Sequence, residues 1–456
     1  MRAVSWALTL AIGASFAAAS HAQPAPRREK PAAAAAPVDA LAGLLARTDA
    51  VAREVARVRG LPLKRSIPNE VVDREELRRR LLAIAAEAKT KAETAAEGLA
   101  LARWGMIPFA ADYEALLIEL LTEQIAGYYD PDTKKLTISK SAGDDAQWAE
   151  LVLAHEIDHG LQDQAFDLKK FEDVPDIEDD ARAARRALVE GDGVALMLEV
   201  MLARRGAAIP WSNPQVTDAI EKAMVAPGHD DLDRAPLAVR EAMIFPYRAG
   251  FMFVAALRRR QPWSAIDAAF ARPPRSTEQI LHPERYLADD RPIPIEVAVP
   301  PSLRGFAIAH ETVWGELGFQ LFLRSHGVDA ATAEQAAAGW GGDRAVVLAR
   351  GGDRRPERAT GISRSEWDTE ADAIEAEEAL VKALDEASTG TLVEATTTRT
   401  RWFGIDGTVS WIERRGPSIA MVIGAPAWAA TALATEVWTG SRIAAPAAAP
   451  ARAPKR

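Results

Sequence analysis

The stretch Ala154-His155-Glu156-Ile157-Asp158-His159-Gly160 holds the only two of the chain's 7 histidines that stand four residues apart. No proline interrupts residues 144–168, and Asp144 or Asp145 can cap the start, so this span predicts one helix. On a helix, positions i and i+4 share a face. His155 and His159 therefore reach a common point, and Glu156, about 100° round, lies beside it. Read as HExxH, the pattern is a zinc site with a coordination position left for water, whose pKa the metal lowers to about 7. Glu156 is then the proton acceptor as hydroxide attacks a carbonyl. The competing reading is a coincidence on an amphipathic helix face, which the scarcity of histidine disfavours.

A third protein ligand decides the subclass. The metzincin pattern requires Gly three and His six residues past the second His; Gln162 and Ala165 stand there, which excludes it. The other common solution takes a Glu from the following helix, and residues 181–205 (ARAARRALVEGDGVALMLEVMLARR) predict that helix. Glu190 sits among Ala187, Leu188, Val189 and Val194, and a carboxylate on such a face is costly unless paired or bound to metal. It is the leading ligand candidate, with Glu199 as its competitor. Gly191 and Gly193 each cost about 1 kcal/mol in a helix, so they mark either close backbone approach or a helix break.

The stretches AHEIDHGLQDQAFDL and RRALVEGD resemble the gluzincin zinc peptidases. That resemblance implies a zincin-like fold, Zn2+ as cofactor, metal ligands His155, His159 and Glu190, and Glu156 as catalytic base. More narrowly, the chain is similar to a poorly characterised family of exported bacterial proteins that share AGYYDPDTKKLTI upstream and PPRSTEQILHPERY and GWGGDR downstream. The resemblance covers residues 61–347. Many gluzincins carry Asp four residues after the Glu ligand, where Val194 stands here; Asp192 is the candidate substitute behind an imidazole. Some also use a downstream His or Tyr to stabilise an oxyanion, which makes His282 or Tyr286 a catalytic candidate. The opposing reading pairs Glu278 with His282 inside a helix turn.

Residues 1–22 combine Arg2, an apolar run and Ser20-His21-Ala22, the pattern of a cleaved secretory signal, so a periplasmic or secreted location is expected. Residues 23–37 read as a disordered Ala/Pro linker and 441–456 as a disordered tail. With Cys 0 there is neither disulfide nor thiolate ligand. The formal net charge of -10 argues against nucleic acid as a partner, and the run Arg258-Arg259-Arg260 reads as a solvated helix end. The expected partner is a peptide or protein substrate, with no membrane span once the signal is removed. The apolar stretch 419–438, interrupted by Gly424, Pro426 and Glu436, reads as a strand plus a helix.

The expected fold class is α+β and predominantly helical: a zincin-like catalytic domain over 38–335 and a small α+β accessory unit over 336–440. Helices are predicted at 38–59, 74–101, 112–125, 248–260 and 311–326. Residues 127–138 predict a hairpin preceding the metal helix, whose free edge can pair with an extended peptide, with Tyr128 and Tyr129 flanking the cleft. His310-Glu311 lacks a second histidine and His229 sits in a turn, so neither is a ligand candidate. Three readings follow: a zinc peptidase, a zinc hydrolase of another amide, or a catalytically silent zinc-stabilised binding protein. An intact Glu156 weighs against silence.

Overall fold

The HEIDH stretch lies near the middle of an unbroken helix, Ala146–Phe166. Its inner face meets both a small sheet and a second long helix. The computed structural model describes residues 7–10, 43, 45–88, 90–141, 146–224, 234–259, 261–387 and 390–444. The capping candidates Asp144 and Asp145, the linker 23–37, the turn histidine His229 and residues 445–456 lie outside the described residues. So does the signal-like segment, apart from strand β1 (Ala7–Leu10).

From the N-terminus, helix α1 (Thr48–Arg59) ends on Gly60, whose positive φ of 81° closes the helix at little steric cost. Strand β2 (Asn69–Val72) leads into α2 (Arg74–Ala88) and α3 (Lys91–Arg103). The sequence reads these as one helix. They are two because Thr90 opens a new one, its side chain accepting from Glu93 N while Glu93 bonds back to Thr90 N. After α4 (Tyr113–Gln124), strands β3 (Ile125–Asp130) and β4 (Lys135–Ser139) form the expected hairpin. Asp130 fastens its turn by accepting from Asp132 N and Thr133 N. The sheet order is β1-β3-β4-β2, with β2 parallel to β4 and β1 antiparallel to β3. The outer edge of β3 is therefore occupied by Ala7–Leu10. Tyr128 and Tyr129 are both buried rather than lining a cleft: Tyr128 packs with Val72, Leu77 and Leu81, and Tyr129 donates to Asp163.

Helix α5 (Ala146–Phe166) crosses α6 (Asp179–Ala203), which in turn packs along α7 (Leu237–Arg258). Gly191 and Gly193 leave α6 unbroken and serve close approach. A Cβ on Gly191 would stand 2.1 Å from the Gly250 carbonyl carbon, and one on Gly250 would stand 2.0 Å from Ala187 O. The sequence places the start of α7 after Phe245-Pro246-Tyr247, yet the helix begins at Leu237 and runs through Pro246. The residue whose carbonyl Pro246 cannot meet, Ala242, is exposed, so water can satisfy it. Arg258 is not a solvated helix end. It bonds Glu199 at 2.6 Å and covers the rings of Trp211 and Trp263.

The C-terminal half is a seven-stranded sheet in the order β6-β7-β8-β12-β11-β10-β9. Its strands are β6 (Phe306–Thr312), β7 (Trp340–Arg350), β8 (Thr360–Trp367), β9 (Thr391–Ala395), β10 (Arg399–Phe403), β11 (Thr408–Arg415) and β12 (Ser418–Pro426). Because strand side chains alternate, the central strands of this sheet feed two cores. Val347, Ile412 and Met421 pack with α3, α8 (Gly315–Ser325), α9 (Ala330–Ala337) and α10 (Glu370–Ala387). Val346, Leu348, Trp411 and Val422 pack under α11 (Ala430–Thr439). The sheet thus begins at residue 306 rather than 336, and what reads as the start of a helix at Glu311 is the end of an edge strand. Ser441–Ile443, expected within the tail, pairs as a strand with Ile295–Val297.

The PPRSTEQ and GWGGDR blocks join the two halves. Asp180 on α6 accepts from Thr277 N and Oγ1, and Thr277 Oγ1 accepts from Leu317 N. Asp343 on β7 accepts from Trp314 N, Gly315 N and Trp340 Nε1. Among the described residues 54% are helical and 19% lie in strands, an α+β composition in which helices dominate. No helix among the described residues is long and apolar enough to cross a membrane.

Candidate metal centre

Helices α5 and α6 carry His155, His159 and Glu190 to one buried point, where a ligand atom from each lies within 4.8 Å of the others. His155 Nε2 and His159 Nε2 are 2.9 Å apart; Glu190 Oε2 is 3.1 Å from the first and 3.5 Å from the second. All three residues are at most 1% exposed. Two ring nitrogens this close can share one proton at most, and Glu190 Oε1 is buried without a hydrogen-bond partner. Two imidazoles and one carboxylate converging in this way are the donor set that zinc takes at hydrolytic sites. The residues fit the ion that the HExxH pattern calls for.

Electrostatics agree with the geometry. Burial alone would push the Glu190 carboxyl up, but the bonds from His155 and His159 outweigh it and hold the group at about 2. Burial would likewise depress His159, yet Glu190 and the nearby Glu156 raise it to about 10. For His155 burial wins, and its pKa falls.

Glu156 is fully buried beside the cluster, on the side facing β3. Gly127 on β3 lies against it: a Cβ there would stand 3.6 Å from Glu156 Cγ, an ordinary contact, and closer, at 3.1 Å, to Thr137 O.

Behind the imidazoles runs a chain of buried polar groups. His159 Nδ1 pairs with Gln162 Oε1 at 2.9 Å, and the Gln162 amide donates to Asp158, Val189 O and Asp192. Asp192 receives two bonds from Arg59, at 2.8 and 3.0 Å, and Arg59 also donates to Asp267. Asp192 does not bond an imidazole itself: Gln162 stands between it and the His159 ring. Gln162, three residues after His159 on the same helix, was findable from spacing. Arg59 and Asp267 were not, since nothing in their local sequence points to partners 133 and 208 positions away.

The remaining candidates lie elsewhere. Glu199 bonds Trp211, Arg258 and Trp263, so it anchors indoles and a guanidinium rather than a metal. His282 Nε2 pairs with Glu316 at 3.0 Å, and the Tyr286 hydroxyl donates to Arg272 O at 2.9 Å. His282 Nε2 and the Tyr286 hydroxyl are thus bonded to partners outside the His155–His159–Glu190 cluster. The hydroxyl-bearing ring that does stand near is Tyr247 on α7, 6.2 Å from the His155 ring between centroids. Sequence reading missed it because it precedes the predicted start of its helix.

Residues 305–434 match a family described as Domain of unknown function (DUF8575), which spans the seven-stranded sheet and leaves the His155–His159–Glu190 cluster outside. No curated protein and no solved structure matches the chain.

Proposed function

We propose that this chain is an exported zinc-dependent metallopeptidase built on a zincin-like core, with His155, His159 and Glu190 as ligands and Glu156 as general base. The observation that carries the reading is the convergence of two facing imidazole nitrogens and a buried carboxylate beside a second buried glutamate. Zinc held by these three residues would supply a Lewis acid for the scissile carbonyl and acidify the attacking water. Glu156 is placed to act as the general base, taking a proton from the attacking water and returning it to the leaving amine. Gln162 fixes the His159 ring through Nδ1, so that Nε2 keeps its lone pair for the ion. The Arg59–Asp192 pair holds Gln162 in place. Location in the periplasm or outside the cell follows from the signal-like N-terminus.

The test is Glu156→Gln, which spares every ligand. Retained zinc with peptide turnover reduced about 10³-fold or more is the expected result. Turnover equal to the wild type would overturn the reading.

A further inference from the structure

Antiparallel pairing gathers one end of the seven-stranded sheet from loops that are far apart in the chain. Phe306 pairs with Arg350, Leu348 with Thr360, Gly361 with Ile423, Pro426 with Thr408 and Val409 with Phe403. At this end Ile405, in the β10–β11 turn, is 84% exposed and Trp428, between β12 and α11, is 66% exposed. Leu392 and Phe403 are exposed at the adjoining ends of β9 and β10. Exposed Phe109 joins them through Arg103, whose guanidinium lies over its ring at 5.7 Å and donates to Pro356 O at 3.3 Å. Large apolar groups collected in this way mark an interaction surface.

The charge at this end runs opposite to that of the chain. Residues 350–358, RGGDRRPER, carry four arginines and two acids, in a chain of net charge -10. Arg355 pairs with Asp353, whereas Arg350, Arg354 and Arg358 are exposed and form no ion pair among the described residues. Asp406, in the β10–β11 turn, accepts from Thr408 N and Oγ1.

We propose that this end of the sheet rests on a membrane surface carrying anionic phospholipid, with Ile405, Phe403 and Trp428 entering the headgroup layer and Arg350, Arg354 and Arg358 meeting phosphates. The apolar groups stand on separate turns with basic groups beside them, and tryptophan favours the membrane–water interface. Anionic headgroups attract basic side chains within about a Debye length, ~8 Å at physiological salt, so the contact is salt-sensitive. Most of this surface falls within the span that matches the family of unknown function, and the metal cluster lies outside it, so the proposal does not rest on the metallopeptidase reading.

The test is co-sedimentation of the purified full chain with vesicles of phosphatidylcholine alone, and of phosphatidylcholine and phosphatidylglycerol in equal parts. Partitioning about tenfold or more stronger on the anionic vesicles is expected, weakening as salt rises. Ile405→Ser/Trp428→Ser should lower binding about tenfold or more, and Arg354→Gln/Arg358→Gln should remove the preference for anionic vesicles. Leu287→Ser, at an exposed apolar position outside this end of the sheet, should leave binding unchanged. Every variant keeps the same N-terminal segment, so a contribution from it cancels in the comparison. Binding to neither vesicle, or binding that neither double variant lowers, would overturn the proposal. So would self-association in sedimentation velocity without vesicle binding, lost in Ile405→Ser/Trp428→Ser, since the surface would then meet a second copy of the chain. Melting curves matching the wild type confirm that the variants are folded.

Discussion

Gly193 lies so close beneath His155 that a Cβ built on it would stand 2.7 Å from the imidazole Cε1 and 2.9 Å from Nδ1. The ring cannot yield, because it is buried against His159 and Glu190. Gly193→Ala should therefore displace a ligand while leaving the helix stronger in propensity. We expect zinc affinity to fall about 100-fold, read by competition with a chromophoric chelator, with little change in helical circular dichroism. Unchanged affinity would mean that the ring is not held where the cluster requires it.

The two glutamates of α6 make opposite predictions. Glu190→Ala should lose zinc from the purified chain. Glu199→Ala should keep it and lose stability by about 2–4 kcal/mol in urea unfolding, since Arg258 and two indole N–H groups are left without their acceptor. Elemental analysis after dialysis separates the two, and zinc retained in Glu190→Ala would remove it from the ligand set.

Arg59 is wholly buried and paired with Asp192. Replacing it by Met leaves that carboxylate uncompensated at the back of the site, at a cost of about 3–5 kcal/mol. The double variant Arg59→Met/Asp192→Leu should regain part of that stability but not the zinc affinity, because Gln162 loses an anchor. Denaturant melts and chelator competition on the three proteins check both halves.

Glu278 supplies a pH dependence away from the metal. Burial first, then the facing carboxylates of Glu316, Asp368 and Asp290, push its pKa from the usual 4.5 to about 8 despite Arg285. The folded state thus favours the protonated form, so the stability it brings is complete below about pH 4.5 and is lost as pH rises through 8. Glu278→Gln, which cannot ionise, should be indistinguishable from the wild type near pH 5 and more stable by on the order of 2 kcal/mol at pH 9. A difference that grows toward acid would refute the sign.

Helix boundaries were misread where a local signal competed with tertiary contact. Pro246 reads as a helix start, yet α7 passes through it because the freed carbonyl is exposed and the rest of the helix is gripped by α6. Thr90 was overlooked as a cap because the apolar pattern continues across it. Strands β2, β6, β8 and β9 lie outside the strands the sequence predicts: what holds a strand is its pairing across the sheet, which its own residues record only weakly.

What the sequence determined by itself was the helix at 146–166, the two imidazoles on one of its faces with Glu156 beside them, and Glu190 as the leading candidate to join them. These follow from a helical period of 3.6 residues and from the cost of burying a carboxylate unpaired. Only the tertiary structure decided between Glu190 and Glu199, sent His282 and Tyr286 to other partners, brought Tyr247 to the cluster, and placed Arg59 behind it. Those choices depend on which faces of α5, α6 and α7 meet, and that is set by the glycine contacts and core packing between helices, a relation no single segment contains.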